Sequence, residues 1–260
     1  MIHPLQAFIL GIVEGLSEYL PISSTGHLIL ASHFLGLHGE GIKTFEIVIQ
    51  AGAIAAVPIL YRGRITSPGG GRLARNLFIS FLPAVAAGLL LHRVIKEKLF
   101  DLWPVVVALA LGGILMIAVD FRFRSSRRVT RTLDSLTAWE ALWIGLAQCL
   151  SLWPGASRAM VTIVAGLFVG LSATQAAEYS FLLALPTLGA ATLFDWAKGG
   201  AALLHEVGLL SILCGFVTAA VVAAVAIRGF IRYLTSRGLA PFGWYRLALA
   251  FGIWLLIGRG

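Results

Sequence analysis

The sequence predicts an all-α integral membrane protein: six transmembrane helices plus two re-entrant helical hairpins arranged as inverted-topology repeats. Three observations carry that prediction. Of the 260 residues, 58% are hydrophobic and only 12% charged, about half the charged share of a soluble domain, and mean hydropathy is +0.90. Six segments approach the roughly 20 apolar residues that a helix needs to cross hydrocarbon. Two further apolar regions are each broken in the middle by polar residues.

The six spans run over 45–61, 77–95, 102–120, 178–196, 207–227 and 242–258. Pro58, Pro83 and Pro186 fall inside three of them, where a kink is expected. The broken regions are different. Residues 4–20 and 24–37 are short apolar stretches interrupted at Pro21-Ile22-Ser23-Ser24, and 138–153 and 159–171 are interrupted at Pro154-Gly155-Ala156-Ser157. Neither half of either region is a comfortable span. Each pair therefore reads as a hairpin, 4–37 and 138–171, that enters the membrane and returns to the same side. Non-helical backbone at such depth is tolerated where protein or a watery cavity surrounds it.

Charge orients the chain. Arg62, Arg64, Arg72 and Arg75 follow the first span, Arg122, Arg124, Arg127, Arg128 and Arg131 follow the third, and Arg228, Arg232 and Arg237 follow the fifth. With 138–171 re-entrant, all three basic loops share one side. The opposite loops, with Lys96, Glu97, Lys98 and Asp101, then Lys198 and Glu206, are nearly balanced. The positive-inside rule puts the arginine-rich loops in the cytoplasm and both termini outside. The first hairpin then opens outward and the second inward. Asp120, Asp195, Trp196, Trp103 and Trp244 read as interface anchors.

That opposition suggests one membrane domain over 1–260 built from two inverted repeats, 1–120 and 138–227, with 242–258 as a final helix. Gly11, Glu14, Ser17, Pro21 and Ser24 echo Gly145, Gln148, Ser151, Pro154 and Ser157 once one gap is allowed. Inverted repeats with broken helices meet near the bilayer midplane and form sites there.

Several classes drop out. The formal charge of +8 tempts a nucleic-acid reading, but its arginines sit in short inter-helix loops, which fits topology better. No cleavable signal peptide is evident, because Glu14 and Glu18 interrupt the first apolar run. Cys149 and Cys214 sit in apolar contexts and read as packing residues. Gly69-Gly70-Gly71 lacks the Lys-Ser/Thr of a phosphate-binding loop.

The chemistry is concentrated at the two breaks, since ionisable residues at membrane depth are functional-site candidates by default. Glu14 and Glu18 are four apart and share a helix face. Two carboxylates so placed repel unless a cation or protons compensate them. A divalent cation answers this as a metal site, and a protonated or water-solvated pair at a helix mouth answers it equally well. Ser23, Ser24, Thr25 and Gly26 could cap a returning helix whose free amides bind an anion. His27 beside them suits a general acid or a nucleophile on phosphorus, or else a plain interfacial histidine. Arg158, just past Gly155 and Ser157, can clamp a phosphoryl group with helix-end amides, with Thr162 one turn on. As a structural residue it would instead be the counter-ion of a buried acid. Glu46 and Gln50 share a face and could line the same cavity. Glu178 could orient Arg158 or hold the partner hairpin. For Glu46, Gln50 and Glu178 a supporting role is favoured.

Taken together, EGLSEYLPISSTGH at 14–27, KTFEIVIQAGA at 43–53 and PGASRAMVT at 154–162 closely resemble the bacterial undecaprenyl-diphosphate phosphatases, the bacitracin-resistance (BacA) family, over essentially the whole chain. The resemblance implies a multi-pass enzyme of the bacterial inner membrane that hydrolyses undecaprenyl diphosphate at a site facing the periplasm. It implies Mg2+ or Ca2+ as cofactor, a polyprenyl diphosphate lipid as substrate and the bilayer as surroundings. Glu14 and Glu18 match the family's acidic motif, Ser24 and His27 its catalytic serine and histidine, and Ser157, Arg158 and Thr162 its second motif. One departure stands out: the second motif usually continues Ser-Arg-Ser-Gly, and here it reads Ser157-Arg158-Ala159-Met160. A hydroxyl and a glycine are missing where the loop would approach the pyrophosphate. The main rival is a lipid-phosphate transporter, because the same architecture serves transport. Oligomeric state is left open, a homodimer included.

Overall fold

Helix starts are set by specific caps. His3 begins α1 (Pro4–Ser17): its Nδ1 accepts from the Leu5 amide while its own amide donates to Gln6 Oε1, with Pro4 at a position where no N–H is missed. Thr137 and Glu140 form a reciprocal capping box on α7 (Ala138–Gln148). Ser172 caps α9 (Ala173–Val207). Ser23 and Ser157 cap α2 (Ser24–Phe34) and α8 (Arg158–Phe168), each side-chain oxygen accepting from the amide three residues on. The remaining helices are α3 (Glu40–Leu60), α4 (Arg62–Ile65), α5 (Gly70–Lys98), α6 (Leu102–Phe123), α10 (Leu209–Arg237) and α11 (Ala240–Ile257).

The structure, a computed structural model, describes residues 2–37, 39–99, 102–123 and 131–257. Asp101, Arg124, Arg127 and Arg128 lie outside the described residues, as do the side chains of Lys96, Glu97, Lys98, Asp195, Trp196, Lys198 and Glu206. Among the described residues there is no strand, only an isolated bridge between Arg131 and Leu171. Four helices are long and apolar enough to cross a membrane: Gly70–Leu91, Trp103–Phe123, Ala173–Phe194 and Leu209–Arg237. The chain is thus an all-helical, multi-pass membrane protein. Of the expected spans 45–61 and 242–258, residues 45–60 are helical in α3 and 242–257 in α11, but both fall outside that group of four, and the apolar part of α3, Thr44–Leu60, is a shorter stretch. Helices α5, α9 and α10 are longer than the apolar windows 77–95, 178–196 and 207–227. Good helix formers carry a helix past its greasy part, where a hydropathy window stops.

The bundle has two ends. At one, Arg64 pairs with Asp134 at 3.2 Å, the Arg72 guanidinium donates to the Asp134 carbonyl at 3.0 Å, and the Asn76 amide donates to the Leu136 carbonyl at 2.8 Å. Arg131 bridges Glu140 and the Val169 carbonyl. These bonds gather α4, the start of α5, the approach to α7 and the end of α8, and the Leu133 amide adds the start of α9 by donating to Gln175 Oε1 at 3.0 Å. At the other end, Ser211 at the start of α10 donates to the Ile2 carbonyl, and Gln6 of α1 donates to Leu35 just past α2. The two broken pairs, α1/α2 and α7/α8, therefore enter from opposite ends.

Their packing partners are exchanged in the same way. α1 lies on α10, and α7 on α5. Each approach needs a glycine: a Cβ at Gly11 would stand 2.7 Å from the Gly215 carbonyl oxygen, and one at Gly145 would stand 2.5 Å from that of Ser80. Small residues at helix crossings let backbones approach closely, as dispersion packing within a bilayer requires. Outward, Leu90, Leu111, Ile114, Val221, Val225 and Phe251 are exposed. In water such a belt would be an aggregation surface, whereas in hydrocarbon it is solvated. Asp120 is more than an interface anchor: it is buried and accepts from the Leu239 amide at 3.0 Å, tying the entry of α11 to the end of α6. Both cysteines are free and partly buried.

Candidate active site

The tips of the two broken pairs meet. After α1 the chain turns through Glu18–Ile22 and restarts at Ser23, and after α7 a 3-10 turn, Cys149–Leu152, leads through Pro154-Gly155 to Ser157. Ser23 (φ 74°, ψ 93°) and Ser157 (φ 67°, ψ 112°) are the only described non-glycine residues with positive φ. That conformation costs about 1–3 kcal/mol per residue and is retained where surroundings over-determine it, typically at sites. By backbone and capping role it is Ser23, rather than Ser24, that matches Ser157, because the second tip has one residue more after its proline.

Across this junction Glu18 and Arg158 form a buried ion pair at 2.8 Å, with residue exposures of 6% and 8%. The other Arg158 terminal nitrogen donates to the Ser180 carbonyl at 2.8 Å and to its hydroxyl at 3.2 Å. The guanidinium lies over the Tyr19 ring at 5.7 Å, and that ring meets Phe181 edge-on. Thr162 donates to the Arg158 carbonyl at 2.8 Å, and its Oγ1 lies 2.7 Å from Ser180 Oγ, whose own proton is free to make that bond. On the opposite side of the pair, Ser24 Oγ donates to the second Glu18 oxygen at 2.5 Å. A buried ion pair does little for net stability, so its presence points to use. The Ser24 hydroxyl is thus bound to a carboxylate, and His27 looks elsewhere. The His27 Nδ1 sits 2.7 Å from the Ser23 carbonyl, which can only accept, so the proton is on Nδ1. The Nε2 lone pair is left facing the Tyr245 hydroxyl at 2.7 Å, with the two rings stacked.

Glu14 lies one turn before Glu18 and is fully buried, and neither of its oxygens meets a hydrogen-bond donor. Its charged neighbours are Glu18, Glu46 and Arg158. Glu46 also accepts from Ser32 at 3.0 Å. Arg158 Nε is likewise buried and without an acceptor. A hard divalent cation fits an orphaned carboxylate beside a second one. Among the described residues no group of three His, Cys, Asp or Glu forms a complete shell, so remaining positions would fall to water or substrate oxygens.

The other sequence candidates divide. Gly26 is buried under the Ser23 cap and Gly155 (φ 94°) lies against the Val105 carbonyl. Thr25 is exposed and Gln50 half-buried, and no hydrogen bond joins either to the cluster. Glu178 does not orient Arg158. It pairs with Arg64 at 3.5 Å and accepts from Gln175 at 3.2 Å, at the basic end of the bundle, while Ser180 and Glu18 hold Arg158. Glu178 sits too early on α9: Ser180, two residues on, is the one turned toward α8. The missing Ser-Gly of the second motif is answered locally. Met160 contributes its amide to the Ser157 cap at 3.3 Å, a bond any residue can make, and Ala159 and Met160 are buried.

Three residues of the site escaped the sequence reading: Ser180, Tyr245 and Arg246. Ser180 and Tyr245 carry no signal in one sequence. Arg246 does, since it is a cation inside the apolar run 242–258.

Fold and site together define a multi-pass membrane protein that holds acid, arginine, hydroxyl and imidazole where two broken helices touch. Residues 7–252 match the family Bacitracin resistance protein BacA. The chain belongs to that family. It is 50% identical over 262 residues to an undecaprenyl-diphosphatase of Sorangium cellulosum, covering 96% of this chain and 85% of the relative. It is 45% identical to undecaprenyl-diphosphatase 1 of Bacillus anthracis, covering 97% and 98%, and 44% identical to an undecaprenyl-diphosphatase of Nitrosomonas europaea, covering 97% and 93%.

Proposed function

We propose that this chain is an undecaprenyl-diphosphatase, hydrolysing undecaprenyl diphosphate to undecaprenyl phosphate and inorganic phosphate in the bacterial inner membrane and so recycling the lipid carrier for cell-wall synthesis. One observation carries the reading at the site: a buried guanidinium N–H without an acceptor beside a buried carboxylate without a donor. Orphaned polar groups of this kind are costly unless a ligand completes them. A phosphoryl oxygen would complete Arg158, and Glu14 with Glu18 would hold a divalent cation, Mg2+ or Ca2+. When bound, that cation supplies charge neutralisation for the diphosphate oxygens.

The chain's own groups suggest the steps. Arg158 and the amides behind the Ser23 and Ser157 caps bind the terminal phosphoryl group and stabilise the charge that grows on it. Ser24 Oγ attacks the terminal phosphorus, its proton passes to Glu18, and the bridging P–O bond breaks to release undecaprenyl phosphate. His27 Nε2 then takes a proton from water as the water attacks the phosphoserine, and Glu18 returns its proton to Ser24 Oγ as the P–O bond to serine breaks, releasing inorganic phosphate and restoring Ser24. The prenyl tail leaves along an apolar groove of about 430 Å³ between α2 and α11, lined by Leu30, Phe34, Ala248, Leu249 and Gly252. His27, Leu30 and Phe34 follow one face of α2 at three- and four-residue steps, so the groove runs along the same face as His27.

We further propose six spans, with α3 and α11 added to the four long apolar helices, and two re-entrant pairs within inverted repeats 1–120 and 138–227. The exchanged partners of α1 and α7, the glycines at Gly11 and Gly145 and the matching backbones of Ser23 and Ser157 support this. With the basic end cytoplasmic, the α1/α2 pair opens to the periplasm. The test is phosphate release from a C55 diphosphate by purified protein with Mg2+, Ca2+ or EDTA, alongside His27→Ala. Cation-dependent release that the variant loses is expected. Prenyl-lipid movement across a sealed bilayer without any release would favour transport instead.

A further inference from the structure

Arg246, on α11, is fully buried, and its guanidinium is spent on backbone. Nε donates to the Leu109 carbonyl at 3.3 Å, Nη2 to those of Ala108 and Gly155 at 2.9 Å each, and Nη1 to that of Pro21 at 3.3 Å. No carboxylate is among these partners. Two of the four carbonyls belong to the middle of α6. The other two come from the tips: Pro21 lies two residues before the cap Ser23, and Gly155 two residues before the cap Ser157. One planar fork thus holds the same position of both tips and refers both to α6. Room for it is made by Gly112, where any Cβ would collide with Nη2. In each tip the carbonyl precedes a strained serine, and strain persists only where neighbours enforce it.

We infer that Arg246 is a positioning residue, a clamp that fixes the spacing between the tip bearing Glu18 and Ser24 and the tip bearing Ser157 and Arg158. It touches no reacting atom. The inference rests on the phosphatase reading for its kinetic consequence alone. A fork can reach both tips, whereas an ammonium is a point charge that cannot reproduce its planar geometry. Loss of the clamp lets the attacking hydroxyl and the phosphoryl-binding arginine drift apart, and misplacement by about 1 Å costs about a hundredfold.

The experiment compares the parent, Arg246→Lys and Arg246→Met in detergent, with two readouts. The first is phosphate release from C55 diphosphate: kcat falls about a hundredfold in both variants while KM moves less than about threefold, since Arg158 and Glu18 remain. The second is backbone hydrogen exchange: segments 18–24 and 153–160 lose protection together while α10 keeps its own. A merely structural arginine would raise exchange everywhere and leave kcat per folded molecule unchanged, which overturns the clamp. Full activity in Arg246→Lys overturns it too, because charge alone would then suffice. Should the Met variant not fold, Gly112→Ala displaces Nη2 with the cation retained and is expected to loosen the same two segments; unchanged exchange there refutes the inference. No phosphate release by the parent would refute the phosphatase reading and leave the exchange result to decide the clamp.

Discussion

Replacing Arg158 by lysine separates geometry from charge. Arg158 makes three contacts with two terminal nitrogens: Glu18 at 2.8 Å, the Ser180 carbonyl at 2.8 Å and the Ser180 hydroxyl at 3.2 Å. An ammonium keeps its attraction to Glu18, so the pair is not broken outright and the roughly 3–5 kcal/mol penalty of an uncompensated buried charge is avoided. It cannot also reach both Ser180 oxygens, and it has no counterpart to Nε. Two charge-assisted hydrogen bonds at about 1.5–3 kcal/mol each are at stake, so a loss of about 3 kcal/mol is the conservative figure. If the loss falls on the transition state, kcat/KM drops by about 10². The assay is initial-rate phosphate release from C55 diphosphate across a substrate series, with the variant's folding verified by gel filtration and thermal melt. A kcat/KM within about threefold of the parent would refute the argument, because the fork would then contribute nothing that a point charge does not.

Other perturbations have equally definite outcomes. Glu14→Gln replaces a buried carboxyl group that meets no donor, so its melting temperature without divalent cation should not fall, while cation-dependent release drops by about two orders of magnitude; a variant still stimulated by Mg2+ would place the cation elsewhere. Gly15→Leu drives a side chain into α10, where even a Cβ would lie 2.7 Å from the Ala219 carbonyl oxygen, and overpacking of about 1–3 kcal/mol or more should appear as reduced folded yield. Glu140 is the surface pH probe. Hydrogen bonds from Arg131 hold its carboxyl down to about 2 from an ordinary 4.5. The folded state thus favours the carboxylate, and its stabilisation is fully present above about pH 4.5 and is lost as pH falls toward 2. Melting curves of the parent should steepen downward in that window and those of Glu140→Gln should be flatter there; parallel curves would show that the Arg131 contact is idle.

The sequence made the chemistry of the site legible and its wiring much less so. Glu14, Glu18, Ser24, His27 and Arg158 stand out because ionisable and hydroxyl residues in apolar surroundings are costly. The breaks at Pro21 and Pro154 stand out because small and polar residues follow each proline, whereas Pro58, Pro83 and Pro186 lie in apolar runs and are carried inside helices. Which acid would hold Arg158 was not legible: Glu178 is a better candidate by type than Ser180, and only the phase of α9 decides between them. The pairing of Ser24 with Glu18 was equally hidden, since a turn of unknown path separates them. The register of the two tips was off by one because the second tip has an extra residue, and a serine's positive φ leaves no trace in composition. Helix ends were misjudged in α5, α9 and α10 for a related reason: apolarity reports where hydrocarbon would be, and propensity and caps report where the helix stops.

The Glu18–Arg158 pair joins positions 140 residues apart, and Arg246 lies later still. During synthesis at about 5–20 residues per second, Glu18 enters the membrane roughly 7–30 s before its partner has been made. For that interval a carboxylate destined for a dry interior has no counter-ion of its own, and neither tip has the arginine that will hold it. The ion pair and the fork that holds both tips are therefore complete only once α11, the last helix of the chain, has been made.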